Sequence, residues 1–392
     1  MAKAEKRVLR LGVAGLGRAF TLMLPTLAGD ARIALVAAAD TRDEARARFA
    51  ADYSAKVYDT VEALCADPNV EVVYIATPHQ DHAQHAEIAA KHGKHMLIEK
   101  PLALTLAQCT SIIDVARLGC VHAVVGHSHS FDAPVLRLRA LIASGEFGAV
   151  HMINAINYTD YVYRPRRPEE LDTAQGGGAI FSQAAHQVDI VRLLGGGLVT
   201  GVHAATGAWD ATRPTEGAYA ALLTFANGAF ASLSYNGYGH FDSDEFQGWV
   251  GEMGLPKTPY PGPRWPRFAN AKDEATFKNA RHYGSPDFKP IATKAPAHHH
   301  FGTVLVSCER ADLRAMPNGV MIYQNGTARL DALPPPVLPR AEVIDELYAA
   351  AMEGKAPLHS AAWATATLEV MLEILRTSHG GQAVLLHQIA VP

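Results

Sequence analysis

The chain has 392 residues, 48% of them apolar and 19% charged, with a formal net charge of −4. That length suggests two domains, and that much apolar material supplies buried cores and excludes a disordered chain. The near-balanced charge excludes a general nucleic-acid binder, which needs a concentrated basic surplus; Arg164-Pro165-Arg166-Arg167 is too short to be one.

The start, residues 1–10, is basic and leads into an apolar stretch broken by Gly12, Gly15, Gly17 and Arg18. It reads as a first strand and turn, not as a secretory leader. No uninterrupted apolar run is long enough to cross a bilayer, so no membrane partner is expected. Cys65, Cys109, Cys120 and Cys308 are widely spaced with no C-x-x-C pair. A disulfide framework or thiolate zinc site is therefore not expected, and a cytoplasmic location fits.

From residue 7 to 126 short runs rich in Val, Ile and Ala alternate with helical stripes. The strands are expected at 8–14, 33–39, 72–76, 96–98 and 123–125, and the helices at 44–53, 61–65, 81–92 and 106–118. Such alternation implies an α/β fold, a doubly wound parallel sheet with helices on both faces. Gly15-Leu16-Gly17-Arg18-Ala19-Phe20 closes the first strand and opens a helix. There the first glycine allows the tight turn, the second allows close approach of a pyrophosphate, and the helix offers its free N–H groups. Phe20 stands where a third small residue is usual. Asp40 ends the second strand 25 residues after Gly15. A carboxylate there accepts hydrogen bonds from the adenosine ribose and repels a 2′-phosphate, favouring NAD over NADP. Arg42 could instead pair with such a phosphate, and Asp40 could simply cap the next helix.

Later motifs are more specific. Ala76-Thr77-Pro78, followed by His82, closes one strand; Gly93-Lys94-His95 and Glu99-Lys100-Pro101 bracket the next; Gly176-Gly177-Gly178-Ala179 precedes His186-Gln187-Val188-Asp189. Together with the glycine turn these resemble the Gfo/Idh/MocA oxidoreductase family over nearly the whole chain. The resemblance implies a Rossmann domain over residues 1–127 and an α+β domain over 128–392 with a large, mostly antiparallel open sheet. It further implies hydride transfer with NAD (NADP as the alternative) and a homodimer or homotetramer. The implied cofactor contacts are Gly15, Gly17, Arg18, Ala19, Asp40, Thr41, Arg42, Thr77, Pro78, His82, Glu99 and Lys100. The implied catalytic pair is Lys100 and His186. Lys100 would sit at the carboxyl end of a buried strand, before a proline bond that is often cis in the family, where a cation stabilises a developing alkoxide. An imidazole, with an ordinary pKa of about 6.5, suits proton transfer near neutrality. The competing readings are a solvated Lys100 and a structural His186. Family members that oxidise sugars carry an aspartate four residues before this histidine; here the position is Ser182, which argues against a simple sugar or inositol dehydrogenase. Asp189 reads as an anchor for the helix.

In the second half strands are expected at 150–158, 199–205, 219–225, 229–235 and 319–324, with helices at 177–194, 341–352 and 361–378. Ala226-Asn227-Gly228 and Gln324-Asn325-Gly326 are hairpin signals of the type I′ kind. Residues 238–301, rich in proline, read as an insertion or lid. His298-His299-His300 near its end cannot easily face one ion, and no metal is expected. The loop at 158–168 carries Arg164 and Arg167, which form bidentate pairs with carboxylates, so an anionic small-molecule substrate fits; surface arginines on a stiff loop are the alternative. Residues 163–172 and 181–187 resemble the subgroup of phthalate 4,5-cis-dihydrodiol dehydrogenases. That resemblance implies oxidation of an aromatic cis-dihydrodiol dicarboxylate, with Lys100, Arg164, Arg167, Ser182, Gln183 and His186 around the substrate. A sugar, cyclitol or other carboxylated alcohol is the alternative substrate, and a non-catalytic nucleotide-sensing regulator the alternative class.

Overall fold

The computed structural model describes residues 7–260, 262, 268, 270–291 and 294–392; residues 1–6 of the basic start and residues 261, 263–267, 269 and 292–293 of the proline-rich stretch lie outside them. The first part runs β1 (Leu9–Ala14), α1 (Arg18–Gly29), β2 (Ile33–Ala39), α2 (Asp43–Tyr53), β3 (Lys56–Tyr58), α3 (Val61–Ala66), β4 (Val72–Ile75), α4 (His82–Lys91), β5 (His95–Ile98), α5 (Leu106–Leu118) and β6 (Ala123–Val125). The strands pair in parallel in the order β3-β2-β1-β4-β5-β6. β1 lies at the switch point, so the loops after β1 and β4 meet where a doubly wound sheet binds its ligand. β4 and β6 are buried along their whole length, which is why their sequences show no polar alternation. The expected strands fall within one or two residues of those found. β3 was not expected: three residues, one exposed and two half-buried, give no periodicity to read.

The second part runs α6 (Ala133–Ala143), β7 (Val150–Tyr158), α7 (Ala185–Gly195), β8 (Val199–Gly207), β9 (Ala218–Phe225), β10 (Phe230–Asn236), α8 (Ala271–Asn279), β11 (Thr303–Cys308), β12 (Asp312–Met316), β13 (Gly319–Gln324), β14 (Thr327–Ala332), α9 (Ala341–Glu353) and α10 (Ala361–Thr377). Among the described residues β7–β14 form one eight-stranded sheet, antiparallel except at the β7–β10 pair. In β9 and β10 buried and exposed residues alternate, so one face is packed, against α6 and α7, and the other is open.

The two hairpin turns differ. Asn325 and Gly326 both have positive φ, 53° and 72°, the expected type I′ turn. At 226–228 only Gly228 is left-handed, and its N–H donates to Phe225 O. That loop is a three-residue type I turn with a bulge, not the type I′ turn expected.

The compact units do not follow chain order. One contains residues 1–127, 276–294 and 337–362; the other contains 128–275, 295–336 and 363–392. A boundary at 127/128 alone therefore leaves Thr276–Lys294 and Val337–Ala362 in the wrong company. Residues 238–301 do not form a single insertion either. Their middle joins the first unit: Tyr283 packs edge-on against Phe20 at 5.2 Å, contacts Phe49 at 6.4 Å and donates from its hydroxyl to Asp52 at 2.6 Å. Phe20, unusual for the third small position of the turn, is thus an anchor for this segment.

Candidate active site

Within the first unit the glycine turn has the form a dinucleotide needs. Gly15 lies at φ 91°, and a Cβ there would stand 2.8 Å from Ala76 O at the end of β4, so only glycine fits. A Cβ at Gly17 would meet nothing within 4 Å. That open space lies at the N-terminus of α1, where the amides of Arg18 and Ala19 precede the first intrahelical bond, made by Thr21 N–H to Gly17 O. The N–H groups of a first helical turn and the positive end of the helix dipole suit a pyrophosphate there. The residues present therefore fit a dinucleotide.

Asp40, at the end of β2, accepts from Leu16 N–H at 2.7 Å and from Arg42 N–H at 2.9 Å, and pairs with the Arg42 guanidinium at 3.1 Å. Thr41 follows it, exposed, at the head of α2. On the other side of the sheet Thr77 Oγ1 bonds His85 Nδ1 at 2.9 Å, and Pro78 begins the short turn into α4. His82 is fully buried. Its Nδ1 faces Pro101 O and Leu102 O at 3.1 and 3.2 Å, and its Nε2 faces Thr77 O at 3.1 Å. Burial lowers its pKa, against the pull of the three carbonyls. The histidine therefore braces the loop after β4 against the loop after β5. Lys100 sits in that second loop, half-buried, before a cis bond to Pro101. Glu99 beside it accepts from the Tyr74 hydroxyl, and burial raises its pKa against the opposing pull of Tyr74, Lys100 and Arg340.

Within the second unit His186 opens α7 and is buried. Immediately before it, Ile180–Ala184 form a π-helical turn, whose first amide is held by the Glu216 carboxylate at 3.0 Å. The wider turn shifts the helical phase, so the four-residue spacing from Ser182 to His186 does not place them as a regular α-helix would. Gln183 Oε1 accepts from the Tyr235 hydroxyl at 3.2 Å. The His186 ring packs on His129 and on Phe301, each at 4.7 Å, and Phe301, Tyr235 and Tyr219 continue as a stack of nearly parallel rings.

His129, which the sequence reading passed over, is the most perturbed imidazole of this group. Burial lowers its pKa, but Asp132 at 2.6 Å and Glu252 at 3.4 Å outweigh burial and raise it to about 9. The signal available was the stretch His127-Ser128-His129-Ser130 directly after β6. Of the loop arginines, Arg166 stacks on the Tyr161 ring at 3.9 Å and donates to Tyr161 O at 2.8 Å. Arg167 pairs with Glu169 at 3.1 Å and Glu170 at 3.5 Å. Arg164 donates from Nε to Asp160 at 3.0 Å, and among the described residues its two terminal nitrogens meet no protein acceptor. Although burial opposes it, the nearby Glu252 and Asp160 raise its pKa and hold the charge firmly. Asp189 accepts from Trp363 Nε1 at 2.6 Å and Thr367 Oγ1 at 2.8 Å, and also from Ser128 and Ser130: it anchors α7. His298 and His300 each place Nε2 on a backbone carbonyl, Pro334 O and Val250 O, at 2.8 Å.

Residues 9–127 match the oxidoreductase family with NAD-binding Rossmann fold, and residues 135–248 match the C-terminal domain of the same group. The chain belongs to the Gfo/Idh/MocA oxidoreductase family. As a member it is an NAD(P)-dependent dehydrogenase, and NAD is the family's cofactor. It is 46% identical over 374 residues, 94% of each chain, to 1-carboxy-3-chloro-3,4-dihydroxycyclohexa-1,5-diene dehydrogenase of Comamonas testosteroni. A protein of Bordetella bronchiseptica RB50 assigned to the dehydrogenases superimposes with TM-score 0.86 at 39% identity, covering 96% of this chain and 99% of that one. The WlbA dehydrogenase of Bordetella pertussis, solved with NADH and UDP-GlcNAcA, shares the fold at TM-score 0.67 and 20% identity over 97% and 99% of the two chains. No helix among the described residues is long and apolar enough to cross a membrane.

Proposed function

We propose that this Gfo/Idh/MocA dehydrogenase oxidises a ring diol bearing a carboxylate, of the cyclohexadiene-diol class, to the corresponding dihydroxy aromatic acid. The observation that carries the reading is the 46% identity, end to end, with a relative named for a carboxylated dihydroxycyclohexadiene. Ser182 in place of the sugar oxidisers' aspartate and the uncommitted terminal nitrogens of Arg164 point the same way. A phthalate diol is one member of this class.

NAD, when bound, accepts the hydride at its nicotinamide ring. The amides of Gly17, Arg18 and Ala19 would hold the pyrophosphate, Asp40 the ribose, and Thr77, Pro78, Glu99 and Lys100 the nicotinamide end. In the proposed chemistry His186 takes the proton of the hydroxyl whose carbon loses hydride. The Lys100 ammonium stabilises the oxygen as negative charge develops on it. Loss of one hydride and one proton leaves a hydroxydienone, which enolises to a catechol and makes oxidation the favoured direction. Arg164 supplies the cation for the ring carboxylate; Arg167, engaged by two glutamates, assists less. The Phe301–Tyr235–Tyr219 stack behind His186 suits a flat ring.

The test is NADH formation at 340 nm across a panel: phthalate cis-4,5-dihydrodiol, a monocarboxylated cyclohexadiene cis-diol, the uncarboxylated benzene cis-diol, xylose and myo-inositol. The carboxylated diols are expected to exceed the sugars in kcat/KM by at least about 100-fold, the scale set by an unpaired buried polar group. Turnover of sugars with none of the diols would overturn the reading.

A further inference from the structure

We propose that the segment around Tyr283–Ser285 fixes cofactor choice, by locking Arg42 away from the position a 2′-phosphate would take and so making the enzyme selective for NAD. A guanidinium two residues past the β2 carboxylate is otherwise well placed to receive that phosphate, and the sequence leaves both outcomes open. A guanidinium has five N–H hydrogens. Here each has a protein acceptor: Nε on Asp40 Oδ1 at 3.1 Å, Nη2 on Asp40 Oδ2 at 3.3 Å and on Leu16 O at 3.0 Å, Nη1 on Tyr283 O at 3.2 Å and on Ser285 Oγ at 3.4 Å. None is left for a ligand.

Two of those five acceptors come from a stretch 241 to 243 positions away in sequence, and that stretch is firmly seated. Tyr283 is buried among Phe20, Phe49 and Phe288, with its hydroxyl on Asp52. Gly284 has φ 79°, and a Cβ there would stand 2.7 Å from Ala45 Cα, so the loop lies flat on the first turn of α2. Asp40 meanwhile holds Leu16 N–H and keeps its carboxylate at the end of β2. A 2′-phosphate would therefore meet a carboxylate and a saturated arginine, whereas an uncharged 2′-hydroxyl meets no repulsion there and can share the carboxylate with Arg42.

The arrangement predicts a coupling between position 40 and the segment, measured as Kd for NADH and for NADPH by fluorescence titration of the full chain. The wild type should bind NADH at least about 100-fold more tightly than NADPH. Asp40→Ser alone should tighten NADPH by only about tenfold, because the repelling carboxylate and two acceptors go while Leu16, Tyr283 and Ser285 still hold the other three N–H groups of Arg42. Adding Gly284→Ala, which lifts the loop off α2, should tighten NADPH a further tenfold or more. Asp40→Ser with Ser285→Ala, which only removes one acceptor and leaves the loop seated, should give a further gain of two- to threefold. It keeps the question answerable should the Gly284 variant lose its thermal transition. The proposal is overturned if the wild type prefers NADPH, or if neither double variant binds NADPH better than Asp40→Ser.

Discussion

Replacing Asp189 by alanine removes the acceptor at the base of α7 and tests whether this carboxylate is what seats the helix that begins with His186. Four donors converge on it: Trp363 Nε1, Thr367 Oγ1 and the hydroxyls of Ser128 and Ser130, all buried. The three hydroxyls can rotate toward other acceptors, but the indole N–H cannot, and leaving it unsatisfied costs about 1–3 kcal/mol. Arg192 also loses the larger of its two stabilising counter-charges, Glu369 remaining. That guanidinium is completely buried over the Trp363 ring, and burial already lowers its pKa to about 10 against the pull of Asp189 and Glu369. Losing that attraction as well brings the total to about 4 kcal/mol, on the scale of removing one partner of a buried charge interaction. Asp189→Asn should cost much less, about 1–2 kcal/mol. Its Oδ1 can still accept from Trp363 and Thr367, while its amide donates to serines that turn to accept. For a body of this size each kcal/mol moves Tm by about 2–4 °C. Differential scanning calorimetry should therefore show a fall of roughly 8–16 °C for alanine and 2–8 °C for asparagine. An alanine variant melting within 3 °C of wild type, or an asparagine variant melting below the alanine one, refutes the reasoning.

Lys100→Met should leave the Kd for NADH within about threefold while cutting single-turnover hydride transfer by about 10²–10³, the loss typical of one missing oxyanion-stabilising group; undiminished turnover would remove Lys100 from the mechanism. His129 carries a pKa of about 9 in the fold against an ordinary 6.5. Because the folded value is the higher, its contribution, about 3 kcal/mol, is fully present below pH 6.5 and lost as pH rises through 9. Urea unfolding at pH 6.5 and 9 should show that loss in the wild type and a flatter dependence in His129→Gln; equal slopes would contradict it. Gly15→Ala, forced into a positive φ and against Ala76 O at 2.8 Å, should weaken NADH binding at least tenfold and lower Tm. Wild-type affinity in that variant would show that the turn tolerates a side chain.

Much of this protein is legible in its residues. β1, β2, β4, β5 and β6 announce themselves because both faces of a parallel sheet are covered, and uninterrupted apolar runs need no tertiary context to be recognised. The glycine turn is equally local: Gly15 must take a left-handed φ, and that requirement is written in one residue. Asp189 as a helix anchor followed from its place one turn beyond His186.

What the chain order concealed was decided by contacts between distant segments. Arg42 reads as a free cation beside Asp40 until Tyr283 and Ser285 claim its remaining donors, and nothing near residue 42 signals them. His129 becomes an imidazolium only because Asp132 and Glu252 outweigh its burial, a balance no motif encodes. The π turn at 180–184 moves the phase of the helix that the spacing from Ser182 to His186 assumed to be regular. Periodicity reports which face of an element is buried, since the hydrophobic effect acts on each residue where it stands. Which polar group meets which depends on where separate elements lie in space, and only the folded chain fixes that.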